Sequence, residues 1–284
     1  MKVYDKIALI IISVLLSVFL FTAIISGILG STFCNHKFMI SVLEKHNYYD
    51  LIFSEYSESI EDGIAIPAGV EPGVLSEIVS KEDIKEHINK IITVAYNSEI
   101  DNSEGFDYDG VKIEFYDSLV THFSVKEYDL TEESYNDIMY VATHCVDECK
   151  GYSEMPFIYT IGSYANDLRG IFTIVSVVSA GFVAFLLVLI FITKKWRQSS
   201  LFYIGVSCMT SGLMLSVAPL YLIFSNTIKH LNISIKSLYY FAVGYSYDLV
   251  KLIIYSGVLL IIASLVIGFK LFIIPLIKRK KSIE

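Results

Sequence analysis

The chain has 284 residues, of which 54% are hydrophobic, and its formal net charge is −8 at neutral pH. This apolar fraction and a mean hydropathy of +0.56 exclude an ordinary soluble globular protein. The acidic balance excludes a nucleic-acid-binding protein, because phosphate contacts need a basic surface.

Four apolar runs divide the chain, at residues 7–30, 171–193, 201–225 and 249–277. Each run is long enough to cross about 30 Å of hydrocarbon as a helix, which predicts four transmembrane helices. The first run is longer than a signal-peptide core and is therefore predicted to remain as an uncleaved anchor. No ionisable residue lies near the middle of any run, which argues against an ion-coupled transporter.

Charge is sorted by location along the chain. The segment 31–169 carries 27 Asp and Glu against 9 Lys and Arg, a net charge of −18, whereas the N-terminus 1–6, the loop 194–200 and the tail 278–284 are basic. Short basic segments stay in the cytoplasm. We therefore predict a multi-pass cell-membrane protein with both termini cytoplasmic and residues 31–169 extracytoplasmic. The residues expected to set this topology and to contact lipid headgroups are Lys194, Lys195, Arg197, Lys278, Arg279, Lys280 and Lys281.

The acidic segment shows helical periodicity, so the fold class predicted for the whole chain is all-α, with a helical domain inserted between the first and second spans. Ser80 is a predicted N-cap with Asp83 three residues later, ahead of an apolar face from Ile84 to Ala95. Further helices are predicted over 111–125 and 132–150, the latter capped by Thr131. Another helix is predicted to run from Phe157 into the second span.

Residues 226–247 form a second outer segment. Their apolar side chains repeat with a helical period, which predicts an amphipathic helix in the outer headgroup layer. Closure of the base of the outer domain is the alternative.

The acidic loop from Asn97 to Gly110 loosely resembles a calcium-binding loop. An EF-hand loop counted from Asp101 would need Gly at its sixth position and Glu at its twelfth, and this chain has Phe106 and Lys112 there. Calcium binding is therefore not predicted.

The densest cluster of metal-ligand types is His144, Cys145, Glu148 and Cys149. No second pair at zinc spacing occurs in the chain, so these four are weak candidates, and we predict no metal or other cofactor. Cys145 and Cys149 lie four residues apart on one predicted helix, a poor geometry for bridging each other. A disulfide from Cys34 to Cys145 or Cys149 is the pairing that an oxidising exterior would permit.

Catalytic signatures such as HExxH, GxSxG and phosphate-binding glycine loops are missing from the sequence. The leading hypothesis is a non-enzymatic sensor, accessory or envelope protein that binds a ligand or partner through its outer domain. A small transporter component or channel is one alternative, and an outer-face metal-dependent membrane enzyme is another. The expected partners are the lipid bilayer and a membrane or extracellular protein; homo-oligomerisation stays open because small residues recur four apart in the spans.

The chain also resembles, loosely and along its whole length, four-span membrane proteins of low-GC Gram-positive bacteria that have a large extracytoplasmic loop. The resemblance rests on the Ile-, Lys- and Tyr-rich composition and on the stretch from Tyr48-Tyr49-Asp50 through Ile66-Pro67-Ala68-Gly69 to Ser80-Lys81-Glu82-Asp83. It implies a bacterial membrane location and brings no activity, cofactor or site residue.

Overall fold

The computed structural model describes residues 3–97, 107–126, 128, 130–192 and 197–281. The described residues form helices and turns, and they contain no strand. Nine α-helices are described: α1 Val3–Thr32, α2 His36–Lys45, α3 Tyr48–Ile60, α4 Lys81–Tyr96, α5 Tyr108–Val125, α6 Glu132–Ser153, α7 Pro156–Ile192, α8 Arg197–Phe224 and α9 Lys236–Lys281. The all-helical fold class is confirmed to this extent.

The chain divides into two compact units. The first contains residues 1–35, 167–231 and 243–284, and the second contains residues 36–166 and 232–242. Four helices are long and apolar enough to cross a membrane. Many of their outward side chains are apolar, including Val14, Val177 and Leu265, which suits a surface facing hydrocarbon rather than water.

Helices α1 and α7 pack antiparallel. The rings of Phe19 and Phe182 stack at 4.8 Å between centroids, and the Ser176 hydroxyl donates to the Ala23 carbonyl at 3.2 Å. Residue numbers therefore rise along α1 as they fall along α7.

Helices α1 and α8 pack parallel through a ladder of serines. The hydroxyls of Ser13 and Ser207 lie 2.9 Å apart, and Ser207 also donates to the Ser13 carbonyl at 2.8 Å. One turn later, the Ser211 hydroxyl donates to the Ser17 carbonyl at 2.8 Å. Hydrogen bonds of this kind hold helices together where lipid provides no hydrophobic drive.

Helices α8 and α9 pack antiparallel and approach most closely at two glycines. The Ser264 hydroxyl donates to the Gly205 carbonyl at 2.7 Å. A Cβ on Gly212 would lie 2.7 Å from the Gly257 carbonyl oxygen, and a Cβ on Gly257 would lie 2.8 Å from that of Gly212. Only glycine permits this backbone approach.

In the second unit, helix α4 begins as the sequence predicts. The Ser80 hydroxyl accepts from the Asp83 amide at 3.2 Å, and the Asp83 carboxylate accepts from the Ser80 amide at 3.0 Å, which is a complete capping box. The predicted apolar face of α4 is buried at Ile84, Ile88 and Ile92. Thr131 likewise caps α6, and α7 continues without a break from Pro156 to Ile192.

A π-helical segment, Glu61–Ala65, continues α3 and is followed by an irregular loop up to Ser80. The Glu61 carboxylate holds this loop by accepting from the Gly73 amide at 2.7 Å and from the Ser76 hydroxyl at 2.5 Å. Gly73 has a φ of 91°, a conformation that a residue with a side chain rarely adopts.

The segment 226–247 does not form the single amphipathic helix that the sequence predicts. A short 3₁₀ turn covers Thr227–His230, and α9 begins at Lys236. Residues 232–242 belong to the second unit, where the Phe241 ring contacts the Tyr48 ring at 5.9 Å. This contact agrees with the alternative in which the segment closes the helical domain.

Several predicted features lie outside the described residues. Lys194 and Lys195 are among them, as are the side chains of Arg197 and of the basic tail, Lys278, Arg279, Lys280 and Lys281. Most of the acidic loop, at 98–106, is also outside them.

Candidate functional site

One face of α3 is acidic and the other is buried. Glu55, Glu58, Ser59 and Asp62 follow one another at helical spacing and project from the same side of α3 and its π-helical extension. The opposite face, formed by Ile52, Tyr56 and Ile60, is buried in the core of the second unit. Burial of that apolar face fixes the direction of the acidic one.

The acidic face forms one wall of an open cleft of about 450 Å³. Tyr152 of α6 forms a second wall, and the segment Ser234–Lys236 at the start of α9 forms a third. Glu58 and Asp62 are exposed, whereas Glu55, Ser59 and Tyr152 are half-buried. The cleft therefore offers carboxylates at its rim and mixed polar and aromatic groups deeper inside.

Glu55 fixes the start of α9. Its Oε1 accepts a hydrogen bond from the Ser237 amide at 3.1 Å, which places a negative charge at the partly positive N-terminus of a helix. Its Oε2 is buried and has no hydrogen-bond partner among the described residues. One carboxylate oxygen of Glu55 thus anchors the start of α9.

A fourth carboxylate adjoins the cleft. The Ser59 hydroxyl donates to Oε2 of Glu148 at 2.9 Å, which ties α3 to α6. Among the residues that line the cleft, Lys236 is the one cation. The excess of carboxylates favours a cationic ligand group, and the Tyr152 ring supplies a face that can stack against it.

The weak metal candidates on α6 are not assembled into a site. Cys145 and Cys149 are fully buried, His144 is exposed, and Glu148 is held by Ser59. No group of three or more His, Cys, Asp or Glu side chains that could hold a metal ion occurs in the part of the chain that the structure describes.

The cysteines are present as free thiols. Burial raises the pKa of Cys145 to about 12 and that of Cys149 to about 11, so both are poor nucleophiles at neutral pH. Cys34 is also buried, and its carbonyl accepts two hydrogen bonds from the Arg169 guanidinium, at 3.2 and 2.8 Å. A bridge from Cys34 to Cys145 or Cys149 stays a prediction.

The channel alternative rests on four polar residues of the third predicted span, which are Ser207, Thr210, Ser211 and Ser216. Ser207 and Ser211 donate to carbonyls of α1, as described above, and each also bonds to its own helix. Ser216 is buried, and its hydroxyl has no partner among the described residues. Thr210, the fourth of these residues, is exposed on the helix surface.

Sequence reasoning missed the cleft on α3. The i, i+3, i+4 and i+7 spacing of Glu55, Glu58, Ser59 and Asp62 was a readable signal of a polar helix face. The contributions of Tyr152 and of the start of α9 were not readable, because they lie about 90 and 180 residues further along the chain. Comparison with protein-family models, curated proteins and solved structures found no match for this chain.

Proposed function

We propose that this chain is a non-enzymatic membrane protein whose helical second unit lies outside the cell and binds a partner through the acidic cleft on α3. The observation that carries the proposal is the cleft itself, in which Glu55, Glu58 and Asp62 face one cation, Lys236. The chemistry of this lining favours a basic segment of an extracellular or membrane protein. The surrounding net charge of −18 over residues 31–169 would also speed the encounter with such a partner.

Two features support the proposed topology. Helices α1 and α8 run parallel to each other. Helix α7 runs antiparallel to α1, and helix α9 runs antiparallel to α8. Four successive membrane crossings require this alternation of helix direction. The Lys- and Arg-rich segments also fall on the side opposite to residues 31–169 in such an arrangement.

The two alternatives gain less support. A channel or transporter would use polar side chains to line a pathway, whereas Ser207 and Ser211 are engaged in helix packing. An outer-face metal enzyme would need an assembled set of ligands, and His144 and Cys149 differ sharply in burial.

A topology experiment tests the location. A single cysteine replacing Glu133, in a version of the chain without its native cysteines, should react with a membrane-impermeant maleimide on intact cells. A cysteine replacing Ser200, which ends the basic segment 194–200 and lies in the first turn of α8, should react only after the membrane is permeabilised. The reverse pattern would refute the extracytoplasmic placement.

A binding experiment tests the cleft. The full chain in nanodiscs of zwitterionic lipid should bind fluorescent hexalysine, and Glu58→Gln with Asp62→Asn should weaken this binding at least tenfold. Glu133→Gln with Asp137→Asn is the matched control, since it removes the same two charges at the same i, i+4 spacing from exposed positions on α6. Equal weakening by both pairs would show that only the overall charge matters, and the assignment to the cleft would be wrong.

A further inference from the structure

Three helices of the second unit meet at the side chain of Tyr108. Tyr108 is the first residue of α5, and its hydroxyl lies 3.3 Å from Nε2 of His87 on α4 and 3.0 Å from Oγ of Ser153, the last residue of α6. The rings of His87 and Tyr108 also meet edge to face, with 5.9 Å between their centroids. The start of α5 is therefore tied to both other helices through one side chain, which packs against the imidazole.

The donors in this group follow from a fourth contact. The Ser153 hydroxyl donates to the Cys149 carbonyl at 2.7 Å, so its single proton is already used. Tyr108 therefore donates to Ser153 and accepts from Nε2 of His87. This arrangement places the ring proton of the neutral imidazole on Nε2.

Helix α5 is held to the rest of the unit by few buried side chains. Phe115 and Leu119 are the two buried residues among its 18, whereas α4 buries six of 16 and α6 buries six of 22. Local opening begins in segments that have few buried apolar contacts. Of these three helices, α5 is thus the one that detaches at the lowest cost in free energy, and Tyr108 holds its N-terminal end.

The surroundings of the His87 imidazole favour its neutral form. The side chain is 9% exposed, and this burial lowers the pKa of His87 below its ordinary value of 6.5. The Glu154 carboxylate, just after α6, opposes the shift in pKa, and Lys90 on α4 adds to it. The part of α7 that belongs to this unit, residues 156–166, has no charged side chain.

The other titratable groups nearby supply no counter-charge to a protonated ring. Asp83 lies one turn before His87 on α4, where its carboxylate is engaged in the cap of that helix. Lys150 of α6 is a second cation, and its ammonium lies over the Tyr108 ring at 4.9 Å. Tyr108 and Cys149 stay neutral at acidic pH, because burial raises the pKa of both groups.

We propose that His87, Tyr108 and Ser153 form an acid-sensitive latch, which holds α5 in place while the imidazole is neutral and releases it when the imidazole is protonated. Protonation keeps the bond from Nε2 to Tyr108 but puts a charge into a buried ring. Detachment of α5 uncovers the ring and gives that charge access to water. The latch shares no residue with the lining of the cleft on α3, so it does not depend on what that cleft binds.

The direction of the pH effect follows from proton binding. Since the pKa of His87 is lower in the closed unit than in an open one, the closed form binds fewer protons near neutrality. The stability that the neutral imidazole provides is fully present well above pH 6.5, and it is lost as the pH falls through 6.5.

The first measurement is the protonation of His87 itself. The full chain is studied by NMR in zwitterionic nanodiscs with its six histidines isotopically labelled on the ring, and the His87 signal is assigned by its loss in His87→Gln. We expect the signal to titrate with a midpoint below pH 6.5. A midpoint at or above that value would overturn the proposal.

The second measurement is hydrogen exchange, followed by mass spectrometry at about pH 7.5 and about pH 5.5 and expressed as protection relative to the intrinsic rate at each pH. Protection of α5 over residues 112–125 should fall about three- to tenfold at the lower pH, as expected for a pKa shift of up to about one unit. Protection of α4 over residues 84–96 should change by less than about twofold. An equal fall in α4 and α5 would mean that the unit opens as a whole, and the latch on α5 would be wrong.

Substitutions around the ring test its role. His87→Gln keeps an N–H donor for Tyr108 but cannot be protonated, so protection of α5 should be the same at both pH values. Glu154→Gln should enlarge the acid effect, because it removes the carboxylate that favours the imidazolium. Lys90→Gln should reduce the effect, because it removes an ammonium that opposes the imidazolium.

His144→Gln is the matched control, since this imidazole is exposed on α6, and it should keep the response of the parent chain. An acid response that survives in His87→Gln, or one that disappears in His144→Gln, would overturn the proposal. If His87→Gln does not fold, Glu154→Gln and Lys90→Gln still decide the matter, because effects of the same sign would contradict the latch.

Discussion

Gly162 of α7 lies against the backbone of α4. Replacing it with alanine should lower the stability of the helical unit and raise the population of its open state. A Cβ at this position would stand 2.3 Å from the Ala95 carbonyl oxygen and 2.5 Å from its carbon. Ordinary contact begins at 3.4 Å, so one helix must move by about 1 Å, and the obstacle is a backbone group that cannot rotate away. Overpacking of this kind costs about 1–3 kcal/mol, and we expect the upper half of that range.

The buried thiols of Cys145 and Cys149 report this opening, because both are fully inaccessible in the folded unit. Their rate of alkylation under reducing conditions, resolved by peptide mass spectrometry on the full chain in nanodiscs, follows the population of the open state. A loss of about 2–3 kcal/mol corresponds to labelling that is about 30- to 150-fold faster in Gly162→Ala.

Gly151→Ala is the matched control, since a Cβ at Gly151 of α6 meets no atom within 4 Å. Alanine favours a helix over glycine by about 0.5–1 kcal/mol, so labelling in this variant should slow by about two- to fivefold. Labelling of Gly162→Ala within threefold of the parent chain would refute the assigned contact between α7 and α4.

Three other predictions concern contacts elsewhere in the molecule. Gly257→Ala should lower the SDS concentration that unfolds the apolar helices, because its Cβ would lie 2.8 Å from the Gly212 backbone carbonyl oxygen; Gly268→Ala, in open space on the same helix, should not. Ser80→Ala should remove the α4 cap, costing about 1 kcal/mol and raising amide exchange in the first turn about fivefold. Burial raises the pKa of Cys149 from 9.0 to about 11, so its contribution to stability is fully present below pH 9 and lost as pH rises through 11; denaturation at pH 8 and 11 should show this loss, and Cys149→Ala should reduce it.

The acidic cleft was only partly predictable from the sequence. The spacing of Glu58 and Asp62 along α3 is a local property, so it can be read from the chain. The hydrogen bonding of the Glu55 carboxylate, by contrast, depends on which segment packs against α3. Its Oε1 accepts from Ser237, which lies 182 residues away in the sequence, and its Oε2 has no partner among the described residues. The cysteines show the same limit: the sequence supplied their spacing on α6, whereas their burial beside Tyr56, which makes them unreactive, is a property of packing.

The sequence by itself determined that the chain is helical and has four helices able to span a membrane, because length and apolar content act locally along the chain. It also determined the caps at Ser80 and Thr131, since capping involves residues only three apart. Only the tertiary structure decided that α1 pairs with α8 through serines and that residues 232–242 join the helical unit. Those choices depend on complementary surfaces far apart in sequence, which no local pattern specifies.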